Sequence, residues 1–192
     1  MKIQIRNGCF ETNSSSAHSL VIRKTSDYVT KEEVQEAFEY RINENGEWGH
    51  SWDDEYFEFW RAPFRFLEGF ENKARYCVAN FADSSGVRSQ DQKKWDELVE
   101  VLKDYLPDFK SIYMPLDDFW EDKHKPDEPK YYNIGCDEHI LAEWLDEAGI
   151  SVREFLTNNK YVIIQDGDEY NWWKDAKHSG LINMNEIERE LC

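Results

Sequence analysis

The side chains best suited to chemistry lie in one polar run near the N-terminus, from Arg6 to Ser19. Ser16 and His18 are two residues apart, so on an extended backbone their side chains point to the same side. A serine hydroxyl beside an imidazole is the arrangement of an activated nucleophile, and a carboxylate such as Glu11 can orient the imidazole. Arginine can also hold an anionic group through two hydrogen bonds. The residues of this candidate catalytic or anion-binding site are Arg6, Glu11, Ser14, Ser16 and His18.

A purely architectural loop explains the same run. Asn, Ser and Thr side chains commonly bond to their own backbone in loops, and an arginine–glutamate pair can hold a loop against a sheet. Catalytic triads are defined by a geometry that local spacing does not supply. Three interpretations therefore stay open: an architectural loop, an anion- or ligand-binding loop, and a covalent catalytic site.

Metal-ligand residue types occur together at Cys136 to His139. Zinc sites favour paired ligands at short fixed spacing, such as Cys-x-x-Cys, and no such pair is present. The acidic run Asp166 to Glu169 lacks the longer ligand series of a calcium-binding EF-hand and is typical of a turn. We therefore expect neither a metal site nor a cofactor.

Aromatic and acidic residues are interleaved between Glu47 and Trp60. Exposed Trp and Tyr side chains are effective interface anchors, and an acidic rim selects a basic partner and speeds association. The alternative is that these rings belong to the hydrophobic core. The residues predicted to contact a partner are Trp48, Trp52, Asp53, Asp54, Glu55, Trp60 and Trp120.

The composition is strongly acidic, with 40 Asp and Glu residues against 23 Lys and Arg residues and a formal net charge of −17. Such a charge repels nucleic acids and anionic membranes at long range. We therefore expect no direct binding of either, and attraction of a basic partner protein instead. A surface that is acidic only for solubility is the simpler explanation.

The lack of a signal segment and the spacing of the cysteines both predict a cytoplasmic protein. The chain has no N-terminal apolar signal segment and no run of 18 apolar residues, so neither secretion nor a membrane span is predicted. Widely separated cysteines without a Cys-x-x-Cys pair are typical of free thiols in a cytoplasmic protein, here that of a host cell. These cysteines are Cys9, Cys77, Cys136 and Cys192.

The hydrophobic periodicity of the sequence and the positions of its turn residues predict an α+β fold. Strands are expected near residues 1–6, 18–23, 110–114 and 160–165, in a small mixed or antiparallel sheet, with a further short strand at 131–134. About four to five helices should pack on that sheet, within a single domain spanning residues 1–192.

Start and stop signals define the expected helices. Capping-box pairs are expected at Thr30 and Glu33, at Ser89 and Gln92, and at Ser151 and Glu154. Two further helices should begin at Pro63 and at Asp137, and the second should end at Gly149. The helix after Ser89 should end at Pro107.

The polar run also carries a resemblance. It resembles the N-terminal signature of uncharacterised proteins of bacteriophages and of the mobile DNA of Gram-positive bacteria, over about 14 of 192 residues. The resemblance implies a phage or prophage origin and implies no activity. The matching residues are Arg6, Asn7, Gly8, Phe10 to Ser16, His18 and Ser19, with Cys9 and Ala17 at the variable positions.

Two main functions follow from these patterns. The first is an acidic binding protein, encoded by a phage or mobile element, that docks on a basic host protein such as a nucleic-acid enzyme or a defence component. It would act as an inhibitor that mimics the phosphate backbone. The alternative is a small enzyme or nucleotide-binding protein with its site in the run Arg6 to Ser19. A structural role in the virion is a third interpretation.

Overall fold

The computed structural model describes residues 18–22, 27–49, 56–59, 65–114, 116–117, 131–132, 134–136 and 139–165. Its helices are α1 (Lys31–Phe38), α2 (Gly69–Phe81), α3 (Gln92–Tyr105), α4 (Leu141–Ala148) and α5 (Val152–Thr157). Its strands are β1 (His18–Ile22), β2 (Glu47–Trp48), β3 (Glu58–Phe59), β4 (Arg65–Leu67), β5 (Ala82–Asp83), β6 (Gly86–Val87), β7 (Ser111–Ile112), β8 (Leu116–Asp117), β9 (Tyr131–Tyr132), β10 (Gly135–Cys136) and β11 (Tyr161–Gln165). This is an α+β fold, which confirms the predicted class.

The largest sheet of the described residues is antiparallel and has the order β1–β11–β4. The central strand β11 is buried along its whole length, as expected for an apolar and largely β-branched segment. The strands predicted at 18–23 and 160–165 are thus confirmed and pair with each other. The strand predicted near 1–6 lies outside the described residues.

The third strand of that sheet, β4, corrects a prediction. Residues 65–67 were expected to lie in a helix opened by Pro63, but they pair with β11, and the helix begins only at Gly69. Pairing satisfies the backbone groups on the second edge of the buried strand β11, which outweighs the helical spacing of the apolar residues. Gly69, at φ +75°, lies at the junction between β4 and α2.

The strand predicted at 110–114 exists but belongs to a different pair. Strand β7 runs parallel to β2, and strand β10 runs parallel to β3. Of the strand predicted at 131–134, the structure confirms the first two residues as β9, which pairs with β8, and a separate strand β10 follows at Gly135 and pairs with β3.

Helix α2 lies at the centre of the helical layer and packs against each of the other four α-helices. Most of its residues are buried, including Phe70, Ala74, Cys77, Val78 and Phe81, most of which follow one another at three- and four-residue steps. A helix that is buried on nearly all sides needs neighbours on nearly all sides. None of the described helices is both long enough and apolar enough to cross a membrane.

Three of the predicted helix ends are confirmed. The Oγ1 atom of Thr30 accepts from the Glu33 backbone N–H at 3.2 Å, and the Glu33 carboxylate accepts from the Thr30 N–H at 2.8 Å. Ser151 caps α5 by accepting from the Glu154 N–H at 3.0 Å, which is one half of the predicted capping-box pair, while the Glu154 carboxylate accepts from the Tyr28 hydroxyl. Gly149 ends α4 in the left-handed conformation, at φ 65°.

Two further predicted helix starts are wrong. Ser89 opens a 3₁₀ turn, and α3 begins after it at Gln92, without a side-chain cap. Helix α4 begins at Leu141, three residues later than a cap at Asp137 would place it. Its first N–H is instead satisfied from another helix, since the Oδ1 atom of Asn80 on α2 accepts from Leu141 N at 3.2 Å.

A buried lysine joins α2 to the end of α5. Lys73 is fully buried, and its ammonium donates to the carbonyl oxygens of Phe155 at 2.8 Å and Asn158 at 3.0 Å. The carbonyls at a helix C-terminus have no partners within the helix and carry partial negative charge. Lys73 therefore supplies the C-terminal cap of α5 from a different element.

Candidate functional site

Four of the five candidate catalytic residues lie outside the described residues; they are Arg6, Glu11, Ser14 and Ser16. His18 opens β1, and the strand register pairs it with Gln165, which pairs with Arg65 on the other side. Gln165 is fully buried, and its Nε2 donates to the carbonyl oxygen of Phe59 at 2.9 Å. Within the described part of the chain its Oε1 has no hydrogen-bond partner.

The predicted partner-binding residue Trp48 is a core residue instead. Its side chain is fully buried, and its ring packs against Phe38, Phe57 and Tyr56 with ring centroids 5.1, 5.2 and 6.3 Å away. The indole N–H donates to the Tyr56 hydroxyl at 3.1 Å. Strand β2 thus turns Trp48 inward, which removes it from any docking surface. The other predicted partner-binding residues lie outside the described residues; they are Trp52, Asp53, Asp54, Glu55, Trp60 and Trp120.

Of the metal-ligand residue types at 136–139, the structure describes only Cys136 and His139. Cys136 is a buried thiol at the end of β10, and Asp137 and Glu138 lie outside the described ranges. The Nδ1 atom of His139 is 3.2 Å from the carbonyl oxygen of Asn80. Burial is the largest cause that lowers the pKa of His139, and the nearby Arg88 guanidinium lowers it further. No group of three metal-type side chains occurs in the described part of the chain.

The clearest surface feature is the outer face of α1. Glu32, Glu36 and Glu39 are exposed and follow one another at four- and three-residue steps, so they share one side of the helix. Val34 and Phe38 are buried on the opposite side. We call the three glutamates the α1 acidic face.

No cation within the described residues neutralises this face. Glu32, Glu36 and Glu39 form no ion pair with any described side chain. Lys31 is the only basic residue of α1, and its ammonium is committed to Asp104 on α3, at 2.7 Å. Among the residues that the structure describes, the negative charge of the α1 acidic face is therefore uncompensated.

The acidic residues at the C-terminal end of α1 also oppose the helix dipole. The C-terminal end of a helix carries partial negative charge, so that acidic residues there are unfavourable. Glu36 lies in the last turn of α1 and Glu39 is its C-cap, and that turn contains no basic residue. Glu32 and Glu36 form a like-charge pair at four-residue spacing, which is also unfavourable. Folding stability does not explain this arrangement, whereas an external cation would.

Two exposed tyrosines flank α1 in the sequence. Tyr28 precedes it and is 57% exposed, and Tyr40 follows it and is 89% exposed. They are the most exposed large apolar side chains of the described residues. The Tyr28 hydroxyl donates to the Glu154 carboxylate at 3.0 Å, which orients that ring. Tyrosine next to unpaired charge is typical of interface anchors.

Sequence reasoning missed the α1 acidic face because a charged helix surface usually faces only solvent. The signal that could have identified it is the order of charges in Lys31–Glu39, with its one base at the start and acids at the end. Comparisons of the chain with protein-family models, with curated proteins and with solved structures found no match. The resemblance of the run Arg6 to Ser19 to phage proteins stays a prediction.

Proposed function

We propose that this protein is an acidic binding protein that docks on a basic partner protein through the α1 acidic face. The observation that carries the proposal is that Glu36 and Glu39 lie at the negative end of their own helix and have no ion-pair partner among the described residues. Sites where a protein violates a local rule of stability are commonly functional sites. A cationic surface placed there would remove both the dipole conflict and the like-charge repulsion.

The expected partner is a protein whose own ligand is a polyanion, such as a nucleic-acid enzyme or a defence component of a host cell. A row of carboxylates presents regularly spaced negative charge, as a phosphate backbone does. The net charge of −17 would steer such a partner at long range, and the tyrosines beside α1 would supply contact area. The proposal includes the phage or mobile-element origin, which rests on the N-terminal resemblance.

Fluorescence anisotropy with a labelled lysine- and arginine-rich peptide tests the proposal, with a glutamate-rich peptide of equal length as the specificity control. We expect the basic peptide alone to bind, and its affinity to fall as salt rises from about 0.05 M to about 0.5 M, since the Debye length is about 10 Å at 0.1 M. Binding that is insensitive to salt would contradict an electrostatic docking surface.

Matched variants locate the surface. Glu32→Gln/Glu36→Gln removes two charges from α1, and Glu100→Gln/Glu147→Gln removes two exposed charges from α3 and α4. Exposed ion pairs contribute about 0.2–1 kcal/mol each, so the first variant should lose about 2- to 30-fold in affinity. The second should lose clearly less. Equal losses would show that only net charge matters and would refute the α1 acidic face as the docking site.

A second candidate function is a small enzyme or nucleotide-binding protein with its site in the run Arg6 to Ser19. The observation that favours it is Gln165, a buried side chain with an unpartnered Oε1 at the register position of His18. Calorimetric titration with a panel of nucleotides tests it. Binding that His18→Ala abolishes would support this function, and the absence of any heat of binding by the wild-type protein would remove it.

A further inference from the structure

A groove of about 550 Å³ lies beside the C-terminal end of α1. It is bounded by that helix end, by the turn at residues 42–46 and by the segment 106–110 that follows α3. Apolar side chains and acidic side chains both line it. The apolar residues are Phe38, Ile42, Leu106 and Pro107, and the acidic ones are Glu39, Glu44 and Asp108. We call it the α1–α3 groove.

The electrostatics of the groove favour a cation. Helices α1 and α3 both end at it, and their C-caps, Glu39 and Leu106, line it. The α1 end adds partial negative charge to the carboxylates, whereas the Lys31 ammonium donates to the Asp104 carbonyl oxygen in the last turn of α3 at 2.8 Å and offsets the charge of that end. None of the three carboxylates is ion-paired with a described residue, and among the described residues that line the groove Lys110 is the only basic one.

The turn that forms one side of the groove is held in place before any ligand arrives. The Oδ1 atom of Asn43 accepts from the N–H groups of Asn45 and Glu47, each at 2.9 Å. The Gly46 carbonyl accepts from Lys110 N at 2.8 Å, which ties the turn to the opposite segment. Gly46 has φ +82°, and a Cβ there would lie 2.6 Å from the Asp108 carbonyl oxygen. A preformed site loses little ordering entropy on binding.

We propose that the α1–α3 groove receives one lysine or arginine side chain from an extended segment of the partner protein. The apolar residues would contact the methylene stem, and the carboxylates of Glu39, Glu44 and Asp108 would surround the charged head. Charge complementarity selects this occupant, since an acidic or purely aliphatic side chain would leave the carboxylates unpaired. The inference rests on the proposed function and names its anchoring contact.

Two-dimensional ¹H–¹⁵N NMR titrations with four hexapeptides test it. The peptides are acetylated and amidated and are identical except for one central residue, which is arginine, lysine, norleucine or glutamate, and their flanking residues are serines, so that the central side chain is the only one that can be cationic. We expect the arginine and lysine peptides to shift the backbone amides of Gly46, Asp108 and Lys110, and to bind more tightly than the norleucine peptide. Equal binding of the norleucine and arginine peptides would overturn the inference.

Variants of opposite expected sign make the test sharper. Glu44→Gln/Asp108→Asn should weaken binding of the arginine peptide about 2- to 30-fold, at about 1.5- to 5-fold for each exposed charge. Lys110→Met removes the competing cation and should tighten binding about 1.5- to 5-fold. Glu100→Gln/Glu147→Gln is the charge-matched control for the first variant and should change less. A groove variant that behaves like this control would also overturn the inference.

The same spectra separate failure of the groove from failure of the proposed function. Peptide-induced shifts at Glu32 and Glu36 without shifts at Gly46 and Lys110 would retain docking on the α1 acidic face and reject the groove. The absence of shifts in all of these amides would reject both. Shifts in both sets would support the groove as the anchor within a larger docking surface.

Discussion

Replacing Glu36 by lysine should stabilise the folded protein and weaken its binding of a basic partner, because both effects arise from the same misplaced charge. Glu36 lies in the last turn of α1, where no basic residue is present. It is exposed and lies one helical turn after Glu32. Lysine at this position would meet the negative helix end favourably and would form an attractive pair with Glu32 in the preferred orientation.

The magnitude follows from these two terms. A charge near a helix end contributes about 0.3–1 kcal/mol, and exchanging an unfavourable charge for a favourable one counts that term twice. The pair with Glu32 changes from repulsive to attractive, which adds a few tenths of a kcal/mol. We therefore expect the free energy of unfolding to rise by about 1–2 kcal/mol, and Tm to rise by about 2–8 °C for a chain of this size.

The control is Glu32→Lys in the first turn of the same helix. It changes the net charge equally and also creates an opposite-charge pair, now with Glu36. Glu32, however, lies at the positive end of the helix, where its own charge is favourable. Glu36→Lys should therefore be the more stable variant by about 1 kcal/mol or more.

Thermal unfolding followed by circular dichroism measures the stability, and anisotropy with the basic peptide measures binding. We expect the difference in Tm between the two variants to shrink in high salt, because surface charges are screened. If Glu36→Lys folds normally but is no more stable than Glu32→Lys, the dipole argument for a functional charge is refuted. If it gains stability without losing affinity, the α1 acidic face is not the docking site.

Three further predictions concern the frame that holds the site. Lys73→Met should lower the free energy of unfolding by about 3–5 kcal/mol, because two charge-assisted hydrogen bonds to buried carbonyls are lost. In the same urea denaturation, Lys93→Met at an exposed site should change it by no more than about 0.5 kcal/mol, and a similar small change for both variants would contradict the capping role of Lys73. Gly46→Ala should lower Tm more than Gly149→Ala, because both glycines have positive φ but only Gly46 has a backbone atom within 3 Å of the added Cβ. Equal losses of Tm would show that the turn at Gly46 can move to accommodate the Cβ. Burial holds the pKa of His139 below its ordinary value of 6.5, so the unfolded chain binds a proton first, and the free energy of unfolding should fall as pH drops through about 6.5 and level off below the folded-state pKa. The variant His139→Gln should show a smaller fall in urea midpoint between about pH 7.5 and pH 5, and a pH profile identical to that of the wild-type protein would contradict the lowered pKa.

Short-range features of the fold were predictable because they depend on residues three or four positions apart. The reciprocal hydrogen bonds of Thr30 and Glu33 and the left-handed Gly149 are examples. Strand β11 was predictable because its residues are apolar and mostly β-branched, which suits a buried strand. Ser89 shows the limit of this reasoning, since a capping pair in the sequence did not place the start of α3.

Long-range contacts were not predictable. Asn80 caps α4 from 61 residues away, and Lys73 caps α5 from 82 and 85 residues away. The helical spacing before Gly69 concealed a strand that exists only because β11 offers it a free edge. Trp48 could have been a surface anchor or a core ring, and only the packing of Phe38, Tyr56 and Phe57 around it decided for the core.

The sequence by itself determined the α+β class, the position of the central strand and the excess of negative charge. These properties are sums over residues or depend on near neighbours, so they can be read without coordinates. Only the tertiary structure decided which carboxylates have partners. Packing commits Lys31 to Asp104 on another helix and brings the ends of α1 and α3 to one groove, where Glu39 and Asp108 have no ion-pair partner among the described residues. Charge neutralisation depends on distances between residues far apart in the chain, and folding alone sets those distances.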